Sequence, residues 1–400
     1  MSRFTLLLLI SLSICLAGTC VSYAEISPGE EQEAEEVGMT EAKAQERIFR
    51  NGIPAEILKF LDAGGDPNMT YGPDGLTPLM LAASSNINKE SITLLIERGA
   101  ALEAKDNRFG LTPLMFAVSF NLPAVSQVLV DAGADLNARD NGGGTALHHA
   151  ALNLRNPGAI YLLARAGADT EAKDNEGRTP LMQAAAFNKS AAVRMLLGAK
   201  ARADAKDKEG RDALALAAAH SEDKETLRLL LRASKSLENK DENGLTPFLA
   251  AVAENGNLEI IEFLAGAGAD IKAKDKTGSD ALLLASLSNH NHEVINYLLA
   301  RDFDVNARYK NGLTPLLASA GNQSEQVART LIVSGADVSA KDEQGRNALM
   351  LAVWLNPNDE VARVLLSGGC DPKEKDKQGH TALEYAGEER PELKKFLLRD

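Results

Sequence analysis

The stretch from Thr246 to Leu264 contains the pattern that decides the fold. It reads Thr246-Pro247-Phe248-Leu249-Ala250-Ala251-Val252-Ala253-Glu254, then Asn255-Gly256-Asn257, then Leu258-Glu259-Ile260-Ile261-Glu262-Phe263-Leu264. Apolar residues recur at helical spacing in both halves, and the polar Asn-Gly-Asn break separates them. Thr246 suits a helix N-cap, and Pro247 suits the first helical position, where a missing amide hydrogen costs nothing. The stretch therefore predicts two short helices joined by a tight loop.

This pattern occurs ten times along the chain, at intervals of 33 to 35 residues. Each copy has a glycine, one variable residue, a Thr, Asp or Asn, then Pro or Ala, then a large apolar residue. The glycine suits a turn that needs a positive φ. A fixed period in this range predicts a solenoid of stacked units rather than one globular core. The ten glycines are Gly75, Gly110, Gly143, Gly177, Gly210, Gly244, Gly278, Gly312, Gly345 and Gly379.

A second glycine column ends the second helix of most units, for example at Gly133 and Gly268. Glycine is the residue expected in the left-handed conformation after a helix C-terminus. Lys200, Ser234 and Asp302 stand at this place in three units. Because other residues are strained in that conformation, Asp least, we expect the units ending at Lys200 and Ser234 to be the softer joints.

The repeated unit resembles the ankyrin repeat. The resemblance is carried by Thr77-Pro78-Leu79-Met80-Leu81-Ala82-Ala83, Thr112-Pro113-Leu114-Met115 and Gly268-Ala269-Asp270, and ten aligned copies make it very specific. It implies an all-α solenoid of helix pairs with β-hairpin-like turns that project sideways. The family usually has His after the apolar residue. Only His148 matches here, so we expect cohesion between repeats to depend more on apolar burial.

We expect one elongated repeat domain over residues 41–400, with about eleven helix pairs including the two caps. Residues 41–74 form the predicted N-terminal cap, which lacks the capping signature. Residues 75–378 form nine internal repeats, and residues 379–400 form a charged C-terminal cap. Polar end repeats are what a solenoid needs in order to stay soluble.

Residues 1–24 resemble a secretory signal peptide. Arg3 precedes a short apolar run from Leu6 to Gly18, and Ser22-Tyr23-Ala24 offers small residues for cleavage before Glu25. The run is shorter than the roughly 20 residues that span a bilayer. We therefore expect an exported protein, secreted or, in a Gram-negative bacterium, periplasmic. A lipoprotein modified at Cys20 and an uncleaved membrane anchor are the alternatives.

Residues 25–40 contain six glutamates and no basic residue, which predicts a disordered acidic tether. The whole chain has a formal net charge of −13, and loss of Arg3 with the signal would make it −14. This balance argues against nucleic acid and anionic membranes as partners. Cys370 is the single cysteine left after cleavage, so no intrachain disulfide is expected.

No residue cluster predicts an active site, a cofactor or a metal. His290 and His292 fall in a predicted loop with no further ligand apparent nearby. The carboxylates recur with the repeat, whereas a catalytic pair should be unique. They lie beside a basic column, and we expect both to form a ladder of turn hydrogen bonds and exposed ion pairs. Gly142-Gly143-Gly144 belongs to a turn rather than to a phosphate loop.

The resemblance implies that partners bind at the hairpin tips and at the exposed side of the first helices, which together line a concave face. Large apolar or aromatic groups at such places need a reason, and Trp and Tyr are common interface anchors. Tyr309 is notable because it replaces the recurring aspartate in one unit only. Carried over by position, the predicted contact residues are Phe109, Leu111, Phe120, Leu152, Phe187, His220, Leu245, Tyr309, Leu313 and Trp354, with Leu287 and Leu355 at equivalent helix places.

The sequence thus predicts an exported, non-enzymatic scaffold that binds another protein through its concave face, most simply as a monomer. A regulator or immunity-type inhibitor that blocks an enzyme with the same face is the alternative. A binder of peptides or small molecules in the concave groove is a third possibility. After signal cleavage no segment is expected to enter a membrane.

Overall fold

A computed structural model of the chain describes residues 41–153, 157–187, 190–234, 236–357, 359–387 and 390–398. The predicted signal peptide, residues 1–24, and the predicted tether, residues 25–40, lie outside these ranges. Every secondary-structure element described below therefore belongs to the predicted repeat domain.

The described residues form 22 α-helices, which confirms eleven helix pairs and the all-α solenoid. The first helices of the pairs are α1 (Glu41–Asn51), α3 (Pro78–Ser85), α5 (Pro113–Phe120), α7 (Ala146–Leu152), α9 (Pro180–Ala186), α11 (Ala213–His220), α13 (Pro247–Glu254), α15 (Ala281–Ser288), α17 (Pro315–Ser319), α19 (Ala348–Leu355) and α21 (Ala382–Tyr385). The second helices are α2 (Pro54–Asp62), α4 (Lys89–Glu97), α6 (Pro123–Asp131), α8 (Gly158–Arg165), α10 (Ser190–Gly198), α12 (Lys224–Ala233), α14 (Leu258–Gly266), α16 (His292–Leu299), α18 (Glu325–Val333), α20 (Asp359–Ser367) and α22 (Pro391–Leu397).

The first helices begin where the capping column predicts. The hydroxyl of Thr77 accepts a hydrogen bond from the Met80 amide at 3.3 Å, and the Asp212 carboxylate accepts one from the Ala215 amide at 2.9 Å. These caps satisfy first-turn amides that have no partner inside the helix. Each first helix then packs against the first helix of the next unit, and most second helices pack against the second helix of the next unit.

The position that is usually histidine in the ankyrin repeats that the chain resembles keeps part of its function without histidine. His148 Nδ1 lies 3.1 Å from the Thr145 amide, and its Nε2 lies 3.0 Å from the Arg178 carbonyl in the next unit. Met80 lies at the equivalent place, and its sulfur accepts from the Thr77 amide at 3.4 Å. The side chain of Met80 is otherwise fully buried. The methionine therefore reproduces the contact within the unit and replaces the contact between units by apolar packing.

A row of buried asparagines supplies the polar contact between units on the helix side of the stack. Each asparagine follows a first helix and donates its amide Nδ2 back to carbonyls of the preceding unit. Asn289 Nδ2 lies 2.7 Å from the Val252 carbonyl and 3.1 Å from the Asn255 carbonyl. Equivalent bonds are made by Asn86, Asn121, Asn153, Asn255, Asn322 and Asn356. We call this set the asparagine row.

The hairpin turns form a second ladder on the other side of the stack. The recurring aspartate folds each turn: Asp174 Oδ1 accepts from the amides of Glu176 and Arg178 at 2.9 and 2.8 Å. The adjacent basic residue reaches the next hairpin, as when Lys173 Nζ donates to the Lys206 carbonyl at 2.7 Å. The expected ladder of turn hydrogen bonds is confirmed. The basic column, however, bonds mainly to backbone carbonyls of the next hairpin rather than forming ion pairs with the aspartates.

The ends of the second helices confirm one expectation and correct another. Gly133 and Gly268 have φ of 88° and 98°, and Lys200 and Asp302 adopt the same left-handed region with φ of 67° and 59°. Ser234 does not, because its φ is −77°. The expectation of strain at Ser234 was therefore wrong: α12 runs on to Ala233, and the chain leaves it in an extended conformation.

Two further features bear on the sequence-based expectations. In the described ranges, no helix is both long and apolar enough to cross a membrane.

The Cys370 side chain is 3 % exposed, and its burial raises the pKa of the thiol to about 12. A thiol with such a pKa stays protonated and inert at neutral pH.

Candidate partner-binding face

Phe120 and Trp354 are the two most exposed of the predicted contact residues. The exposed fraction is 49 % for Phe120, at the end of α5, and 55 % for Trp354, near the end of α19. Leu287 and Leu355 occupy equivalent places and are also exposed. Large apolar side chains at exposed places on the first-helix row are a candidate binding surface.

Each of the two aromatic anchors has its own neighbours. The Phe116 and Phe120 rings lie 6.2 Å apart, so an aromatic pair covers this part of α5. The Trp354 ring lies 6.1 Å from the Tyr385 ring, and the Arg346 guanidinium lies 5.1 Å above Trp354. Contacts of this kind restrain an aromatic side chain before binding. A restrained anchor loses less conformational entropy when a partner covers it.

The other apolar contact residues are covered more than the sequence predicts. Leu111 is only 7 % exposed and belongs to the hydrophobic core, so its assignment to the solvent-exposed tips was wrong. Leu111 lies between the turn glycine, Gly110, and the N-cap, Thr112, and its side chain packs into the core at the start of the first helix. The remaining residues of this kind are half-buried: Phe109, Leu152, Phe187, Leu245 and Leu313.

Tyr309 turns away from solvent. Its side chain is half-buried, and its hydroxyl donates to Asp280 Oδ1 at 2.6 Å. Asp280 is the N-cap of α15 in the preceding unit, where it also accepts from the amides of Leu282 and Leu283. Burial, followed by the hydrogen bond to Asp280, raises the pKa of Tyr309. The phenol is thus engaged in a contact between units.

His220 lies in the middle of the first-helix row and faces charged groups. Its Nε2 is 3.8 Å from Glu254 Oε2 in the next unit. Burial, and then the charges of Arg211 and Arg178, lower the pKa of His220 to about 4, so the imidazole is neutral at pH 7. Burial also raises the pKa of Glu254. The centre of the face therefore carries partly desolvated polar groups between the apolar ends.

The sequence analysis missed a row of exposed apolar residues at the loops between the paired helices. Ile87 is 73 % exposed, and Ile53 and Leu122 are also exposed. The asparagine row places them on consecutive units, because Asn86 bonds the carbonyl of Gly52 and Asn121 bonds the carbonyl of Asn86. For Ile87 and Leu122, the position directly after the asparagine could have revealed this row in the sequence. Tyr161 and Val333, on second helices, are exposed as well.

The histidines considered as metal ligands have other neighbours. His290 Nδ1 lies 3.0 Å from Asn322 Oδ1, and His292 Nε2 lies 3.2 Å from Glu293 Oε1. In the part of the chain that the structure describes, no three His, Cys, Asp or Glu side chains are grouped as metal ligands.

Comparison with known families now agrees with the geometry. The model of the family described as ankyrin repeats (3 copies) matches residues 47–140, 138–208, 181–275, 214–309 and 282–376. These matches cover most of the chain, which therefore belongs to the ankyrin repeat family. Ankyrin repeats are generally protein–protein interaction modules and typically non-catalytic. No curated protein matches the chain.

Proposed function

We propose that this protein is a non-catalytic scaffold that acts after export and binds a partner protein through the concave face. The observation that supports this best is the exposure of Phe120 and Trp354 on the first-helix row, where each is restrained by neighbouring groups. Both anchors lie on helices of a stack, so the binding surface is preorganised and the ordering cost of binding is small.

Affinity capture with the proposed mature chain, residues 25–400, tests this proposal. One bait is the unaltered chain and the second carries Phe120→Ala and Trp354→Ala. A third bait, with Tyr161→Ala and Val333→Ala, removes exposed residues from the second-helix row. A specific protein held by the first and third baits and lost from the second supports the concave face. Equal capture by all three baits contradicts it.

The affinity of single variants for the captured protein then measures how much each of the two aromatic residues contributes to binding. Trp354→Ala should weaken binding by about 2 kcal/mol or more, because truncation of a tryptophan that anchors an interface removes much of its binding energy. The thermal stability should remain close to that of the unaltered chain, since the ring is more than half exposed. An unchanged affinity, or a large loss of stability, would show that Trp354 is not an anchor.

Export is proposed from residues 1–24 alone. The apolar run from Leu6 and the small residues around Tyr23 support cleavage before Glu25. Mass spectrometry of the chain recovered from the native organism tests this. A mature N-terminus at Glu25 supports export through a cleaved signal, a lipidated N-terminus at Cys20 supports the lipoprotein alternative, and an intact Met1 contradicts cleavage.

A further inference from the structure

The hairpin ladder is interrupted at one joint. At eight joints, a tip amide donates to a carbonyl of the preceding hairpin, as Lys276 N does to the Asn243 carbonyl at 2.9 Å. The other seven donors are Asn107, Asn141, Asn175, Lys208, Glu242, Glu343 and Lys377. Among the described residues, the hairpins of Gly278 and Gly312 lack this bond, which would join the Lys310 amide to the Thr277 carbonyl.

The free space beside the turn glycines is a second sign of the same interruption. A methyl group added at Gly244 would lie 2.7 Å from the backbone nitrogen of Lys276 in the next hairpin. A methyl group added at Gly278 would meet nothing within 4 Å. The hairpins on either side of this joint are therefore separated at their tips. We call the space between Thr277–Gly278 and Lys310 the tip slot.

Tyr309 explains why the slot lies here. In the preceding hairpin, Asp275 Oδ1 accepts from the amides of Thr277 and Ser279, both at 2.8 Å, and this folds the turn. A phenol cannot accept those amides in the same way, and the Tyr309 hydroxyl instead reaches back to Asp280. The turn becomes a short 3₁₀ helix, Lys310–Gly312, with Asn311 at a φ of 64°. The reshaped turn leaves the Lys310 amide without its carbonyl partner on the neighbouring hairpin.

Two lysines flank the tip slot, one from each hairpin. Lys274 and Lys310 are both exposed. Lys240 Nζ bonds the carbonyl of the next basic residue at 3.0 Å, whereas within the described residues Lys274 has no such bond to Arg308. The carboxylates beside the slot are occupied, since Asp275 folds its turn and Asp280 binds Tyr309 and caps α15. Exposed carboxylates of the hairpin row lie one unit away, at Glu242 and Glu343.

We propose that the tip slot is a docking site for an aspartate or glutamate side chain of the partner protein. A carboxylate placed there can accept the hydrogen bond that the Lys310 amide lacks, and it gains from the charges of Lys274 and Lys310. The slot adds a point of charge recognition at the rim of the face that carries Phe120 and Trp354. The inference deepens the proposed function and rests on it, since it names the chemistry of one contact of the same partner.

Amide chemical-shift mapping on the full chain tests the slot directly. The probe is an acetylated, amidated peptide with three glutamates separated by alanines, and the control probe is the same peptide with glutamines. In about 0.15 M salt the glutamate peptide should shift the amides of Thr277, Gly278 and Lys310, and the glutamine peptide should leave them in place. Absence of a shift at these amides, or equal shifts with both peptides, overturns the proposal.

Two double variants give the matched comparison. Lys274→Gln with Lys310→Gln should raise the midpoint of the glutamate titration at least fivefold. Lys173→Gln with Lys208→Gln removes the equivalent pair of charges at the intact joint between the Gly177 and Gly210 hairpins, where the Lys208 amide bonds the Glu176 carbonyl, and should leave the midpoint within a factor of two. An equal rise of the midpoint in both variants would mean that the peptide responds only to the net charge of the protein. That result would overturn the proposal. Failure of the Phe120 and Trp354 baits would instead count against the proposed function, because those baits leave the slot untouched.

Discussion

The two sides of the joint between the Gly278 and Gly312 units are held together differently. On the helix side, Asn322 Nδ2 bonds the carbonyls of Ser286 and Asn289 at 3.1 and 2.9 Å, and the asparagine row continues to either side at Asn289 and Asn356. On the hairpin side, the ladder has its one interruption among the described joints. Neighbouring hairpins of a solenoid can therefore lie apart at one joint while the helices there stay stacked. The helices and the hairpins each contribute separately to the free energy of the interface between neighbouring units.

The largest expected effect comes from removing an asparagine at this joint. Asn322→Ala leaves two buried carbonyls without their donor and should cost about 3 kcal/mol of the free energy of unfolding. Since the hairpins add no ladder bond here, hydrogen exchange should show residues 312–398 opening as a separate unit. Asn289→Ala removes the equivalent amide at a joint with an intact ladder and should not separate that unit.

An exposed asparagine provides the control for this pair. Asn306 Nδ2 bonds the Gly335 carbonyl at 3.0 Å on the surface, so Asn306→Ala should cost about 1 kcal/mol or less. Chemical denaturation and hydrogen exchange would be measured on all three variants. If Asn322→Ala and Asn289→Ala gave the same exchange pattern, the hairpin ladder would contribute nothing to cohesion at the intact joints.

The second largest effect is a dependence of stability on pH, which arises from His220 in the middle of the first-helix row. The folded-state pKa of His220, about 4, lies below the unfolded value near 6.5. Folding therefore favours the neutral imidazole. Above pH 6.5 this costs no stability, but as the pH falls towards 4 the unfolded chain binds a proton that the folded chain does not, and the free energy of unfolding decreases. The loss should be about 2 kcal/mol, allowing for the residual exposure of the ring and the nearby Glu254.

His220→Gln tests this effect because glutamine keeps a polar side chain that does not titrate. Denaturation midpoints of the unaltered chain and the variant would be followed from pH 7 to pH 4. The difference between them should shrink or reverse as the pH falls. A parallel decline of both proteins would show that carboxylates, not His220, determine the acid sensitivity.

The third effect sharpens the hairpin side of the comparison. Tyr309→Phe removes the hydrogen bond to the Asp280 carboxylate and should cost about 1.5 kcal/mol, the range for bonds to charged acceptors. Tyr161→Phe removes a hydroxyl from an exposed ring on α8 and should cost close to nothing. Equal stability of the two variants in thermal melts would show that Tyr309 does not hold the interrupted joint together.

The sequence predicted the repeated helix pairs better than it predicted single residues that depart from the repeat. The capping residues and apolar spacing act locally, so the ten capping signatures match the starts of ten of the eleven observed first helices. The asparagine row was readable as a polar residue recurring near the first-helix end, but its partners lie a full unit away and its role appeared only in the structure. The burial of Leu111 and the contact of Tyr309 with Asp280 could not be predicted, because a repeat position does not reveal which way its side chain turns. Phe120 and Trp354 were placed on the surface correctly because they extend a helix face beyond its buried stripe.

The smallest effect distinguishes two helix ends that the sequence treats alike. Lys200 has a φ of 67°, so Lys200→Gly should relieve left-handed strain and raise the free energy of unfolding by about 0.5–1 kcal/mol. Ser234 has a φ of −77°, so Ser234→Gly has no strain to relieve and should lower stability slightly through the added freedom of the unfolded chain. Thermal melts of both variants decide the matter. Gains of equal size at both positions would mean that the α12 end visits the left-handed conformation after all, and that the repeat pattern describes this joint better than the observed backbone does.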